Sequence, residues 1–368
     1  MLHWLVKSTR RRHRRSIAQV FYPWYDLLHM EQEKLQPNQT VPNPKTAQWH
    51  NGLWHTYNDH LAKHFGEKVY KITVSAGFTC PTRDGTRGSK GCAFCDERGS
   101  SSFFATGQAS LNIRQQIEAA KPRIAKRFNA KKFLAYFQSF TNTYGPLKYL
   151  QEVYDGAINV DDVVGMAIGT RPDYVPSDVL NLLNNYGRDR YVSLELGLQS
   201  FRNDVLEFYD RGHSVEEGID AVERAMRFPN LSVAVHLMFG SEPEMRDPIE
   251  MQIDSAIAAA KRVNALKVHG VKVHQLMILK DTVLATRFAI KPWPLYTMHD
   301  YNRILIAFLE HLDPKIHVER THALSSHAEE LVGPAWAAGR FDPQNHLRAS
   351  MTEMKTYQGR LFSTGAIQ

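Results

Sequence analysis

The feature of this sequence that most restricts its fold is an alternation of short apolar segments with longer amphipathic ones. Apolar runs rich in Val, Ile, Leu and Phe are typical of strands buried on both faces, whereas apolar residues three or four apart predict helices. Strands that alternate with helices form a parallel α/β sheet, because parallel neighbours need a crossover connection. Six strands are predicted, at residues 69–76, 132–138, 162–169, 190–197, 231–240 and 270–279.

The spacing between strand starts fits either a TIM-like barrel or a doubly wound sheet, and both bind ligands at the carboxyl ends of their strands. Polar residues occur in or just after all six predicted strands, where packing alone favours apolar ones. This pattern predicts one active site assembled from several strands. Its candidate members are Cys80, Gln138, Thr170, Arg171, Glu195, Gln199, His236, His274 and Gln275.

The chain divides into three predicted regions: an irregular tail and linker at 1–50, a barrel at 51–315 and a C-terminal extension at 316–368. Six of the 45 basic residues precede the first acidic one, Asp26, and they account for most of the net charge of +7. The tail is therefore expected to be solvated, although its charge could also attract phosphate groups or belong to an organelle transit peptide. No apolar run approaches the ~20 residues of a membrane-spanning helix, which predicts a soluble protein without a membrane partner.

Three cysteines occur, all within one short segment, in the spacing C-x11-C-x2-C. A small, odd and clustered set argues against a disulfide framework and for a metal or redox site. Cys92 and Cys95 are close enough in sequence to bind one metal centre. The glycine-rich loop that follows Cys80 can bring the third thiolate to them.

Two kinds of metal site compete for these cysteines. A structural zinc ion takes four protein ligands, commonly with histidine among them, but no histidine lies between Cys80 and Leu150. An iron–sulfur cube is bound by cysteine thiolates, and three of them leave one iron open for a further ligand. The sequence favours a [4Fe–4S] cluster held by Cys80, Cys92 and Cys95, with zinc and inert thiols as the alternatives.

Several motifs resemble a known family. They run from Trp54 through HFGEKVYK (64–71) into the cysteine loop, and continue in YFQ (136–138), TNTY (141–144), GTRPD (169–173), LELGLQS (194–200), RGH (211–213) and KVHQ (272–275). Over about residues 50–325 the sequence resembles the YhcC/YtqA-like radical S-adenosylmethionine (SAM) proteins, which are related to the catalytic subunit of elongator. The sequence departs from the family pattern at residues 240–244, 280–283 and 323–327. These departures affect the parts of the site expected to bind the adenosine of SAM and the substrate.

The resemblance implies a partial (β/α)6 TIM-like barrel with a [4Fe–4S] cluster and SAM as cofactors. An electron from a reductant such as flavodoxin or ferredoxin would cleave SAM to methionine and a 5′-deoxyadenosyl radical, which takes a hydrogen atom from the substrate. Gln138 and Asn142 are then expected to contact the amino group of SAM. Arg171, Glu195 and Gln199 are expected to position its carboxylate and ribose.

His236 and His274 face the expected substrate side, and with Gln275 they are the catalytic candidates. Kinship with elongator makes tRNA, modified at its wobble uridine, the expected substrate and a bacterial cytoplasm the expected location. Electrostatic support comes from the basic tail and from residues 121–132, which carry no acid, because phosphate contacts give salt-dependent affinity. The alternatives are a radical SAM enzyme acting on a small molecule or a protein side chain, and a non-catalytic zinc-binding scaffold.

Overall fold

The architecture follows from a computed structural model, which describes residues 49–97, 111–240, 249–325, 328–338 and 342–363. These residues all belong to one unit, 42–368. The predicted basic tail lies outside the described residues. The strands are β1 Val69–Val74, β2 Lys132–Phe137, β3 Val163–Thr170, β4 Tyr191–Gln199, β5 Ser232–Phe239, β6 Gly270–Gln275, β7 Ile278–Leu279, β8 His317–Arg320 and β9 Leu331–Gly333.

Seven of these strands form one sheet in the order β1-β2-β3-β4-β5-β6-β8, and every neighbouring pair is parallel. Strand order thus follows chain order, which is the arrangement of a barrel wall and not of a doubly wound sheet. The short strands β7 and β9 pair antiparallel in a separate sheet.

Helices connect the strands and pack against the sheet. Capping boxes begin three of the described helices, formed by Thr56 with Asp59, Asn112 with Gln115, and Ser214 with Glu217, because each pair satisfies backbone donors that a helix end leaves free. No helix in the described segments is both long and apolar enough to cross a membrane. The helices are α1 Tyr57–Phe65, α2 Ile113–Phe128, α3 Leu147–Ile158, α4 Ser177–Tyr186, α5 Asn203–Phe208, α6 Val215–Met226, α7 Ile249–Ala265, α8 Val283–Ile290, α9 Met298–His311 and α10 Asp342–Glu353.

The sheet curls into a half-barrel. In a flat sheet, six strand spacings of about 4.8 Å would separate β1 from β8 by about 29 Å. Instead Lys71 on β1 forms an ion pair with Glu319 on β8 at 2.7 Å, and Thr56, just before α1, bridges to Val318. Curling therefore brings side chains of both edge strands into one interior.

The predicted α/β TIM-like fold is confirmed, with two differences. The predicted strand 270–279 is broken, because β6 ends at Gln275 and the chain then enters the small sheet through β7. The sheet also has a seventh strand, β8, which pairs with β6 and lies within the segment predicted as a C-terminal extension. Its sequence, His-Val-Glu-Arg, lacks the apolar run that marks the other strands.

Candidate active site

The three cysteines line one cavity of about 440 Å³. Cys80 follows β1, and Cys92 and Cys95 come 12 and 15 residues later in the segment that begins there. Gly91, next to Cys92, has a φ of 77°, and a Cβ at this position would lie 3.0 Å from the guanidinium of Arg83. Glycine therefore allows the loop to turn back on itself and carry the last two cysteines to the first.

The thiols of this cavity differ in how readily they ionise. Burial disfavours the thiolate of Cys80, but contacts of its sulfur with the hydroxyls of Thr141 at 3.4 Å and Thr82 at 3.1 Å outweigh burial and lower the pKa of Cys80. Burial, followed by the neighbouring Cys92, raises the pKa of Cys95 to about 12. Cys80 is thus the more easily ionised of the two.

Two guanidinium groups face the sulfur of Cys92. Arg211 donates from Nη1 to this sulfur at 3.2 Å and from Nη2 to the carbonyl of Gly197 at 2.8 Å. Nη1 of Arg171 lies 4.0 Å from the same sulfur, while Nε and Nη2 donate to Asp173 at 3.0 and 2.8 Å. Both guanidinium groups therefore hold positive charge beside this sulfur.

This donor set fits a [4Fe–4S] cluster. Three cysteines, hydroxyl groups beside Cys80 and arginine donors beside Cys92 are the surroundings that such clusters use, since hydrogen bonds to sulfur tune their potential. In the described residues no three His, Cys, Asp or Glu side chains are grouped to hold a single metal ion. A cube does not need such a grouping, because each cysteine binds a different iron atom.

The same cavity has polar groups suited to a ligand of the size of SAM. Gln138, Asn142 and Gln199 line it. Nδ2 of Asn142 donates to three backbone carbonyls at 2.7–3.2 Å, so this amide holds the ends of β2 and β3 in place. Oε1 of Gln199 is buried with no hydrogen-bond partner among the described residues. A buried acceptor without a partner is costly, and a donor on a bound ligand would satisfy it.

Glu195 belongs to a buried ion cluster inside the half-barrel. Its Oε1 accepts a hydrogen bond from Lys71 at 2.5 Å, and its Oε2 accepts from Lys272 at 2.8 Å and from Tyr136 at 2.9 Å. Burial alone would raise the pKa of Glu195, but Lys272 and Lys71 lower it well below its ordinary value. Protein donors therefore engage both oxygens of an ionised carboxylate.

His236 and His274 both line the cavity, with ring centroids 4.7 Å apart. Burial lowers the pKa of each ring well below 6.5, so both are neutral at neutral pH. The side chain of Gln275 lies on the opposite side of β6 from that of His274, and Gln275 does not line the cavity. Its Nε2 donates a hydrogen bond to the carbonyl oxygen of Ala323 at 2.7 Å, and its Oε1 accepts one from the backbone N–H of Ala323 at 3.1 Å. The predicted catalytic set is thus separated, with two rings in the cavity and one amide behind it.

Five further residues around the cavity were not among the predicted site residues. Lys71 and Lys272 interrupt the apolar runs of β1 and β6, and a lysine inside a buried strand is a signal that sequence reasoning can use. Arg211 carries no such local signal. The others are Tyr136 and Arg320, both of which line the cavity.

The basic segment 121–132 lies away from this site. It runs from the second half of α2 to Lys132, the first residue of β2, and so reaches the amino ends of the strands. Lys121 and Lys132 lie 3.4 and 3.5 Å from Asp162, which partly neutralises them. These charges do not border the cavity that holds the cysteines.

Comparison with known proteins gives relatives that match most of the chain. Residues 268–353 match the family described as the Radical_SAM C-terminal domain. The uncharacterized protein YtqA of Bacillus subtilis is 32% identical over 309 residues, which cover 84% of this chain and 92% of that protein. Protein YhcC of Escherichia coli K12 is 33% identical over 290 residues, or 78% of this chain and 89% of that protein.

More distant similarities involve tRNA and elongator proteins. The tRNA uridine(34) acetyltransferase of Methanocaldococcus jannaschii is 32% identical over 122 residues, which are 33% of this chain and 21% of that protein. The solved structure of archaeal Methanocaldococcus infernus Elp3, with residues 1–46 deleted, superimposes with a TM-score of 0.60 at 17% identity. It covers 79% of this chain and 64% of that protein, and it shares the fold.

Proposed function

The chain belongs to the YhcC/YtqA-like family of radical SAM enzymes, and from this premise we propose that it cleaves SAM reductively at a [4Fe–4S] cluster and modifies the wobble uridine of tRNA. The observation that carries the first part is the cavity lined by Cys80, Cys92 and Cys95, with Arg211 and Arg171 directed at one of the sulfurs. Three thiolates hold such a cluster and leave one iron open.

In this proposal Cys80, Cys92 and Cys95 bind the cluster. Once bound, cluster and SAM supply the chemistry, in which one electron breaks SAM into methionine and a 5′-deoxyadenosyl radical. This chemistry requires that solvent be kept away from the cavity, because a primary radical that meets solvent is lost to side reactions.

The proposed SAM contacts follow from how each side chain is already engaged. The free acceptor of Gln199 suits an ammonium or hydroxyl donor of SAM, and Gln138 lines the same cavity. Asn142 already donates hydrogen bonds to backbone carbonyls, and Arg171 already donates to Asp173. We therefore propose that both residues shape the pocket as well as contact SAM. Glu195, whose oxygens are both engaged, sets the charge of the interior and positions Lys71 and Lys272.

For the substrate side, His236 and His274 are the proposed catalytic groups. Both are neutral, so either can accept a proton from the substrate, although burial and nearby cations make the resulting imidazolium costly. Gln275 is proposed to act through Ala323, whose backbone it holds. It is therefore a positioning residue.

The proposal of a tRNA substrate rests on the partial similarity to tRNA uridine(34) acetyltransferase. The basic segment 121–132 does not support it, because it lies at the other end of the strands. We propose that the enzyme works in the cytoplasm and receives electrons from a small carrier such as flavodoxin or ferredoxin.

The first test is SAM cleavage by the protein purified without oxygen, reconstituted with iron and sulfide and reduced with dithionite. We expect about four irons per chain, an EPR signal that changes on adding SAM, and release of 5′-deoxyadenosine. The Cys92→Ser variant should lose all three. Bound zinc without iron, or a cluster that ignores SAM, would contradict the proposal and favour a structural clasp.

The substrate is tested in the same assay with two tRNA transcripts that differ only in having uridine or cytidine at position 34. We expect the uridine transcript alone to accelerate 5′-deoxyadenosine release and to change in mass. Equal acceleration by both would contradict wobble-uridine specificity. No acceleration by either would leave a radical SAM enzyme that acts on a small molecule or a protein side chain.

A further inference from the structure

The ion cluster inside the half-barrel has more positive than negative charge. Among the described residues, its carboxylates are outnumbered by its cations. The cations are Lys71, Lys272 and Arg320, and the carboxylates are Glu195 and Glu319.

The ion pairs leave Arg320 as the cation without a carboxylate, while burial, together with Arg320 and Lys71, also lowers the pKa of Lys272. Glu195 pairs with both lysines, and Glu319 pairs with Lys71. No carboxylate in the described part of the chain lies within ion-pair distance of Arg320, and its Nε is buried without a hydrogen-bond partner. Its nearest polar contact is from Nη2 to Nε2 of His236 at 3.5 Å. Burial lowers the pKa of Arg320 and outweighs the opposite effect of Tyr136, Glu195 and Glu319, as expected for a buried cation with incomplete compensation.

Arg320 also lines the cavity, at a level different from the cysteines. Arg320 is in register with Lys272 on β6, and Lys272 lies three residues before β6 ends at Gln275. At about 3.3 Å per residue this places its backbone about 10 Å before the end of β6, and Arg320 is itself the last residue of β8. His236 and His274 beside it are neutral and do not repel an anion.

We propose that Arg320 binds a single negative charge on the substrate, a carboxylate or a phosphodiester, inside the half-barrel. A guanidinium binds either oxyanion through two parallel hydrogen bonds, and one negative charge matches the excess of the cluster. This inference rests on the proposed function, which places SAM beside the cysteines and leaves the part of the cavity around Arg320 to the substrate.

The test is the melting temperature of the cluster-loaded protein in acetate or in dimethyl phosphate, compared with chloride at equal ionic strength and with SAM present. We expect one of the two anions to raise the melting temperature of the wild type, and the anion that does so identifies the substrate group. Arg320→Gln should lose this response and Arg320→Lys should keep part of it. Arg188→Gln, at an exposed arginine before β4, should respond as the wild type does.

A second readout separates a binding role from a structural one. Without added anion, Arg320→Gln is expected to melt at a higher temperature than the wild type, because it removes an uncompensated buried cation. A lower melting temperature, an anion response retained in Arg320→Gln, or no response in the wild type would overturn the proposal. If adding SAM abolished the effect of the anion on the melting temperature of the wild type, the proposal would also be overturned, since the carboxylate of SAM would then occupy the site. None of these measurements needs SAM cleavage, so a failure of the radical chemistry remains distinguishable.

Discussion

At the residue scale, the proposed cluster chemistry would depend on cations held close to sulfur. Arg211 lies 3.2 Å from the sulfur of Cys92 and is fixed by a second hydrogen bond to Gly197. The reduced form of an iron–sulfur cluster carries one more negative charge than the oxidised form, so a nearby cation stabilises reduction. Hydrogen bonds to cluster sulfurs are a recognised control of this potential.

Replacing Arg211 should therefore make the cluster harder to reduce. Since a hydrogen bond to a charged group is worth about 1.5–3 kcal/mol, Arg211→Gln should lower the one-electron reduction potential by up to about 130 mV. A redox titration followed by EPR measures this shift. The reduction potential of Arg211→Lys should lie between those of the wild type and Arg211→Gln, and the potential of Arg188→Gln should equal that of the wild type. An unchanged potential in Arg211→Gln would leave Arg211 with a purely structural role.

Single residues also show where local patterns are informative. The spacing of the three cysteines by itself predicts a shared site, because ligands of one centre often cluster in sequence, and all three line one cavity. Lys71 and Lys272 could have been predicted from the sequence as site residues, since each interrupts an apolar strand. Arg320 could not have been predicted, because no neighbouring residue in the sequence indicates that it lacks a carboxylate partner.

At the element scale, β3 and β4 approach so closely that one position excludes any side chain. Gly165 on β3 pairs with Tyr191 on β4, and a Cβ on Gly165 would lie 2.1 Å from the carbonyl oxygen of Tyr191. Because that oxygen belongs to the backbone, it cannot rotate away. Arg171 follows β3 directly, so this contact also supports the active site.

Gly165→Ala should consequently destabilise the protein by about 3 kcal/mol or more, at the upper end of overpacking costs, or prevent it from folding. The matched control is Gly156→Ala on α3, where a Cβ meets nothing closer than 3.7 Å. There the helix preference of alanine should stabilise the protein by about 0.5–1 kcal/mol. Urea unfolding measures both changes, and equal stability of the two variants would contradict the proposed clash.

Elements differ in how far their sequence reveals them. The strands β1 to β5 carry apolar runs, and their predicted bounds agree with the structure to within two residues. β8 has only Val318 as an apolar residue, because its other side chains enter the ion cluster or contact His60, Tyr57 and the neighbouring rings. Its pairing with β6, and not its composition, makes it a strand.

At the scale of the whole molecule, buried neutral histidines make stability depend on pH. Burial lowers the pKa of His322 to about 3, against an ordinary value of 6.5, and its Nε2 faces Oδ1 of Asn302 at 3.1 Å. Between these two values the unfolded chain binds the proton and the folded chain does not. Stability is therefore greatest above pH 6.5 and falls as the pH drops toward 3.

The contribution of His322 can be measured by urea unfolding at pH 7 and pH 5.5. His322→Gln removes the titrating group, so acidification should cost this variant about 1 kcal/mol less than it costs the wild type. His50→Gln, at an exposed histidine, should lose as much stability as the wild type. Equal losses in wild type and His322→Gln would show that this ring does not contribute to the acid sensitivity.

The sequence by itself determined the parallel α/β fold and the cysteine site, because strand periodicity and ligand spacing are properties of neighbouring residues. The tertiary structure alone decided which charges meet inside the half-barrel. Lys71 and Glu319 are 248 residues apart in the chain, and they form an ion pair only because the sheet curls until its edge strands face one another. The charge left on Arg320 is a consequence of that closure.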